Sequence, residues 1–240
     1  MNSEGGPQVV AREQGVCGEL ALRRAGQHHE IIANGVFLMD TRGGESERLL
    51  VRAAAERMPD PGRMMIGGLG VGFSLAEAVA HPRVREVHVL EREAVVVDWN
   101  RTHLRVANGD ALADPRVRVH VADVVGWLRE AAPASLDAIC LDVDNGPDWL
   151  VTPGNAWLYA GEGIAAAHRA LAPGGVLAVW AATPAPEYVR RLHSLFTEVQ
   201  ELPVRHGTSR PDVVVLAHRR ADGGDTRGMG DSTRTARRNT

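Results

Sequence analysis

Met64-Met65-Ile66 runs directly into Gly67-Gly68-Leu69-Gly70-Val71-Gly72, and a helical apolar pattern begins at once after it. Glycines so spaced let backbone approach a ligand closely, and the N–H groups of a starting helix point at whatever sits there, as in a nucleotide-cofactor turn. The next three apolar runs each end on an acid: Val87-His88-Val89-Leu90-Glu91, Val119-His120-Val121-Ala122-Asp123 and Ala138-Ile139-Cys140-Leu141-Asp142. A carboxylate at Glu91 can accept both hydroxyls of a ribose. Asp123 can accept an adenine amino hydrogen, or cap the helix that follows. Asp142 opens an acidic loop, Asp142-Val143-Asp144-Asn145-Gly146-Pro147-Asp148-Trp149, in which Asp142 and Asp144 are the candidates to receive a proton from an attacking nitrogen. Gly67, Gly68, Gly70, Gly72, Glu91, Asp123 and Asp142 are the cofactor-binding candidates.

Residues from distant parts of a chain meet only if the fold aligns them. From Arg63 onward short apolar runs alternate with helical patterns: Met64 to Ile66, Val87 to Leu90, Val117 to Val121, Ala138 to Leu141, Val176 to Trp180, Val199 to Val204 and Val213 to Ala217 read as strands. The alternation predicts βαβ units, hence an α/β fold with a mostly parallel seven-stranded sheet and helices on both faces. In such a sheet ligands sit beyond the carboxyl ends of the strands, which is where the glycine turn and the three acids fall. Asn34-Gly35 between two apolar runs predicts a small N-terminal β-hairpin. Ser46 to Met58 reads as a helix, and the first dozen residues carry no pattern. The expected organisation is a β element over 1–45, an α/β domain over 46–220 and a floppy polar tail over 221–240.

Composition narrows the chemistry. The 240 residues carry 27 basic and 30 acidic side chains, a net charge of −3 that gives no basic field for nucleic acid. Every basic residue is arginine, which excludes a Schiff-base lysine, a pyridoxal-phosphate enzyme and a Walker P-loop. The two cysteines, Cys17 and Cys140, have no metal or disulfide spacing and are expected to be buried and inert. No histidine pair has metal-ligand spacing, so no metal is expected. The apolar runs are too short to span a membrane and the N-terminus lacks a secretion signal, so a cytoplasmic location is expected. Trp149, Trp157 and Tyr159 either flank an acid-lined mouth or anchor the loop.

The glycine spacing separates two cofactor classes. A dinucleotide G-x-G-x-x-G started at Gly68 and Gly70 would need its third glycine at Phe73, so a nicotinamide oxidoreductase is disfavoured. The order of glycine turn, Glu91, Asp123, Asp142 and then His168-Arg169-Ala170-Leu171-Ala172-Pro173-Gly174-Gly175-Val176-Leu177 resembles the spermidine synthase group within the class I S-adenosylmethionine-dependent methyltransferase fold, from about Gly35 to Ala217. By that resemblance Glu91 holds the ribose, Asp123 the adenine, and Asp142 lies by the reacting amine. The sequence departs from the family pattern at three places: Gly70 stands where the turn has Asp, Asn145 replaces the second acid of Asp-x-x-Asp, and Glu45-Ser46-Glu47-Arg48-Leu49 replaces an upstream Tyr-His-Glu.

The resemblance implies a transferase using S-adenosylmethionine or its decarboxylated form on a small molecule, amines included, with a homodimer as the candidate assembly. Because acids of the polyamine pocket are missing, methyl transfer is the expected reaction. Aminopropyl transfer to a polyamine and a non-catalytic nucleoside-binding module are the alternatives.

Overall fold

The computed structural model describes residues 6–204 and 211–221. The expected tail, from residue 222 on, lies outside the described residues.

Four strands, β1 (Gln8–Gly15), β2 (Gly18–Ala25), β3 (His28–Ala33) and β4 (Val36–Asp40), form one antiparallel sheet in sequence order. Asn34 and Gly35 turn β3 into β4 with φ of 49° and 78°, the left-handed pair that Asn-Gly supplies. The hairpin predicted there is thus half of a larger sheet. The opening residues, expected to be unpatterned, form β1: all but two of its side chains are exposed, so no alternation betrays it, and its ladder with β2 defines it.

Seven further strands, β5 (Gly62–Gly67), β6 (Val84–Glu91), β7 (Val117–Val121), β8 (Leu136–Leu141), β9 (Leu171–Ala181), β10 (Thr197–Val204) and β11 (Asp212–His218), build the second sheet in the order β10-β11-β9-β8-β5-β6-β7. Five run parallel, as the alternating pattern predicted, and β11 is antiparallel to both neighbours. The helices are α1 (Glu45–Arg57), α2 (Phe73–Ala80), α3 (Ala94–Arg101), α4 (Val124–Glu130), α5 (Ala156–Tyr159), α6 (Gly161–Ala170) and α7 (Pro186–Leu192). None is long and apolar enough to cross a membrane.

The central strands read as continuous apolar runs because both of their faces are buried. Met64 and Ile66 face one core with Ala138, Cys140, Val176 and Ala178, against α1, α2 and α3. Met65 faces the other with Ile139, Leu141, Leu177 and Val179, against α4, α6 and α7. Leu20, Leu22 and Ile31 bring the first sheet onto the first of these cores. Strand order reverses between β5 and β8, and their carboxyl ends, Gly67 and Leu141, lie side by side. That reversal opens the crevice where α/β sheets bind ligands.

Candidate functional site

β5 delivers Gly67 to the switch point, and the chain turns through Gly68, Gly70 and Gly72 at φ of 92°, 51° and 92°. L side chains rarely adopt such φ, and the surroundings add their own demand. A Cβ at Gly68 would overlap the carbonyl oxygen of Asp142, and one at Gly70 the thioether of Met39 on β4. The turn is held from behind by two buried asparagines that the motif reading overlooked. Asn100 Nδ2 donates to the Gly70 carbonyl at 2.7 Å, and Asn108 Nδ2 donates to Asn100 Oδ1 at 2.9 Å. Nothing local in the sequence marks either residue, since they come from the end of α3 and the loop beyond it.

Glu91 ends β6 and opens onto the crevice. Its Oε2 accepts the Leu69 N–H at 3.0 Å and its Oε1 the Glu93 N–H at 2.9 Å, so the acid and the glycine turn are bonded directly. Burial pushes the Glu91 carboxyl above its ordinary pKa, against the two backbone N–H groups that favour its charge. Asp123 caps α4, its Oδ2 accepting the Gly126 N–H at 2.9 Å, while the residue also lines the crevice. Both sequence readings of Asp123 are therefore compatible with its position.

Asp142 follows β8 deep in the protein with its surface open to the cavity. Burial, with Glu47 and Asp212 nearby, raises its pKa to about 8. Asp144 is 7% exposed. Its Oδ1 closes the loop by accepting the N–H groups of Val151 and Thr152 at 2.9 and 3.0 Å. Its Oδ2 is buried without a hydrogen-bond partner.

These residues line one cavity of about 690 Å³, within the range of about 300–1,000 Å³ usual for small-molecule sites. Gly68, Gly70, Glu91, Asp123, Asp142 and Asp144 are all in its wall; Gly67 and Gly72 shape the turn without reaching it. β3, β4 and the turn before β2 form the opposite wall, and Glu93 fastens that turn by accepting the N–H groups of Val16 and Cys17. Cys17, expected to be buried, is exposed at this edge, whereas Cys140 is buried, its thiol pushed up by desolvation and by Asp142.

Two further acids stand in the same wall: Glu47 on α1, read from the sequence only as part of the segment that replaces Tyr-His-Glu, and Asp212 at the start of β11. Of the two readings of the aromatic residues, anchoring fits Tyr159, which is buried in the second core, and Trp157, which packs against that core beneath Arg129; Trp149 is 60% exposed, and Trp180 of β9 lines the cavity.

The model of the spermine/spermidine synthase domain matches residues 46–199. The chain belongs to this family. Among curated spermine/spermidine synthase relatives, a polyamine aminopropyltransferase of Mycobacterium tuberculosis is 32% identical over 180 residues, covering 73% of this chain and 33% of the relative. Putrescine N-methyltransferase 3 of Nicotiana tabacum is 28% identical over 129 residues, 54% of this chain and 32% of that one. The chain spans about a third of the length of each. Among solved structures, spermidine synthase from Thermotoga maritima superposes with a TM-score of 0.73 at 19% identity, covering 90% of this chain and 74% of that one. A spermidine synthase in complex with the transition-state analogue AdoDATO gives 0.75 at 19%, with 90% and 75% covered. At that identity the likeness is one of fold: the Rossmann-like α/β fold of the spermidine synthases.

Proposed function

We propose that this spermine/spermidine synthase-family chain is a transferase that moves an aminopropyl group from decarboxylated S-adenosylmethionine to an amine. One observation carries the choice of an amine: Glu47, Asp142, Asp144 and Asp212 line a single cavity that also contains the glycine turn and Glu91. An amine cation leaving water requires carboxylates to replace its hydration, and this cavity provides them. The expectation of methyl transfer rested on missing acids, and Glu47 and Asp212 in the wall weigh against that ground. The polyamine aminopropyltransferases among the relatives support the same change of preference.

The protein's share of the work is placement and proton transfer. Gly68 and Gly70 let the backbone of the turn lie against the adenosyl group, Glu91 accepts from its ribose and Asp123 from its adenine. The sulfonium makes its neighbouring carbon electrophilic. Asp142 takes a proton from the acceptor ammonium and frees the nitrogen lone pair. Nitrogen then bonds to carbon, the carbon–sulfur bond breaks, and its electron pair leaves on sulfur as methylthioadenosine. The wall around Asp142 and Asp144 keeps the amine in line with that carbon and limits access of water.

Product analysis tests the reading. The chain incubated with decarboxylated S-adenosylmethionine and 1,4-diaminobutane is expected to yield methylthioadenosine. S-adenosylhomocysteine formed from S-adenosylmethionine, with no methylthioadenosine from the decarboxylated donor, would restore methyl transfer.

A further inference from the structure

Taking a proton from an alkylammonium is hard for an aspartate. With the ammonium near 10.4 and a free aspartate near 3.9, the carboxylate is about a million-fold too weak a base. Burial and neighbouring anions reduce the shortfall, and Asp142, raised to about 8, is short by only a few hundred-fold. The group responsible should be an anion that shares the cavity, is not neutralised by an arginine and belongs to a rigid element.

Glu47 meets these conditions. It lies in the first turn of α1, a helix packed into the core through Leu50, Val51 and Ala54. Its side chain accepts from the Ser46 hydroxyl at 2.9 Å, and its backbone carbonyl oxygen accepts from the Ser74 hydroxyl of α2 at 3.5 Å, which ties this turn of α1 to the neighbouring helix. Among the described residues no arginine forms an ion pair with it; the neighbouring Arg48 lies over the Phe73 ring. It lines the cavity with Asp142, and after burial it is the leading influence on that carboxyl. Other titratable groups near Asp142 are Asp212 on β11, Cys140 on β8 and Tyr159 on α5, and the cavity wall adds Asp144 on the loop, Glu91 at the end of β6 with Arg92 and Glu93 after it, and Asp123 before α4. Asp144 leaves one oxygen buried and unpartnered, which marks the cavity as built for a donor that brings hydrogen bonds.

We propose that Glu47 is a positioning residue of the reaction: as an anion in the wall of the cavity that Asp142 also lines, it makes Asp142 basic enough to take a proton from an entering ammonium group. This rests on the amine-transfer reading of the site. In the empty cavity Asp142 then holds a proton. An ammonium entering in its charged form displaces that proton to solvent, and Asp142 recovers one from the nitrogen before attack. One proton leaves as one cation arrives, and one returns to the carboxylate as the nucleophile forms.

The test reads Asp142 directly in the full chain. The infrared band of its protonated carboxyl, assigned by its loss in Asp142→Asn, is followed from pH 5 to 10 without ligand. The wild-type midpoint is expected near 8, and in Glu47→Gln at least one pH unit lower. Asp212→Asn, from a different element, should shift it in the same direction. With decarboxylated donor and 1,4-diaminobutane at pH 8, kcat of Glu47→Gln should fall about tenfold with the KM for donor unchanged. A midpoint that stays in place overturns the assignment, and so does a lowered midpoint with unaltered kcat. If the wild type forms no methylthioadenosine from any amine, the transfer reading fails before any variant is compared, and the midpoint still decides whether Glu47 governs the proton on Asp142.

Discussion

The Asp142 N–H donates to the carbonyl oxygen of Gly67 at 2.9 Å, so the acid proposed at the reacting centre and the glycine turn proposed for the donor are consecutive rungs of one parallel ladder. Their separation is fixed by the sheet rather than by a loop, which suits a displacement that depends on alignment.

The same closeness makes Gly68→Ala costly. The residue has φ of 92° and its Cβ would overlap the Asp142 carbonyl oxygen, so strain and displacement act together. Thermal unfolding should show a loss of about 2–3 kcal/mol, and methylthioadenosine should bind at least tenfold more weakly. A variant with wild-type melting and binding would contradict the geometry of the turn.

Glu91→Ala removes the acceptor of the Leu69 and Glu93 N–H groups as well as the proposed ribose partner. Calorimetry with methylthioadenosine should show binding weakened by about 10- to 100-fold, equivalent to about 1.4–2.7 kcal/mol. Since burial raises this carboxyl, wild-type affinity should begin to decline on acidification while the pH is still above the usual carboxylate range.

Asp142→Asn should lower turnover by about a hundredfold or more while the chain stays folded. Its effect on stability has a definite sign. In the folded chain Asp142 keeps its proton up to about pH 8, whereas an unfolded aspartate loses it near 3.9. The folded state is therefore favoured at low pH, and that contribution is lost as the pH rises from about 4 through 8. Asparagine avoids the loss, so the variant should melt roughly 5–10 °C above wild type at pH 8 and close to it at pH 4. Equal melting temperatures at both pH values would show that Asp142 ionises freely in the fold.

His88 Nδ1 and His120 Nε2 are 3.0 Å apart with ring centroids at 5.2 Å, so the rings meet edge to edge and one proton fits between them. Burial lowers the pKa of His88, opposed by Glu86 and assisted by His120, Arg118 and Arg63. An unfolded histidine takes up a proton near 6.5, so the contribution of His88 to stability is lost as the pH drops below that value. Differential scanning calorimetry at pH 7.5 and 5.5 should show a smaller acid-induced drop for His88→Gln than for wild type. An identical drop would mean that His88 does not resist protonation.

The sequence reading recovered what repeats locally. Seven apolar runs became the strands of the second sheet, and Gly68, Gly70, Glu91, Asp123, Asp142 and Asp144 came to one cavity because each is tied to the end of a predicted strand. Contributions from single positions on separate elements escaped it. Glu47 looks like any acid in a first helical turn, and Asp212 like any residue entering a strand. Asn100 and Asn108 act on the turn from eight residues apart through folded contacts alone. β1 was missed because an exposed edge strand needs no apolar alternation.

Met39 of β4 occupies the volume that a side chain at position 70 would claim. The atoms that would meet it, Sδ and Cε, are the flexible end of the Met39 chain, so a small side chain at 70 is accommodated by swinging that end aside, and the lasting cost of filling the position is its φ of 51°. Whatever stands at 70 therefore sets where the tip of Met39 comes to rest between the first sheet and the turn.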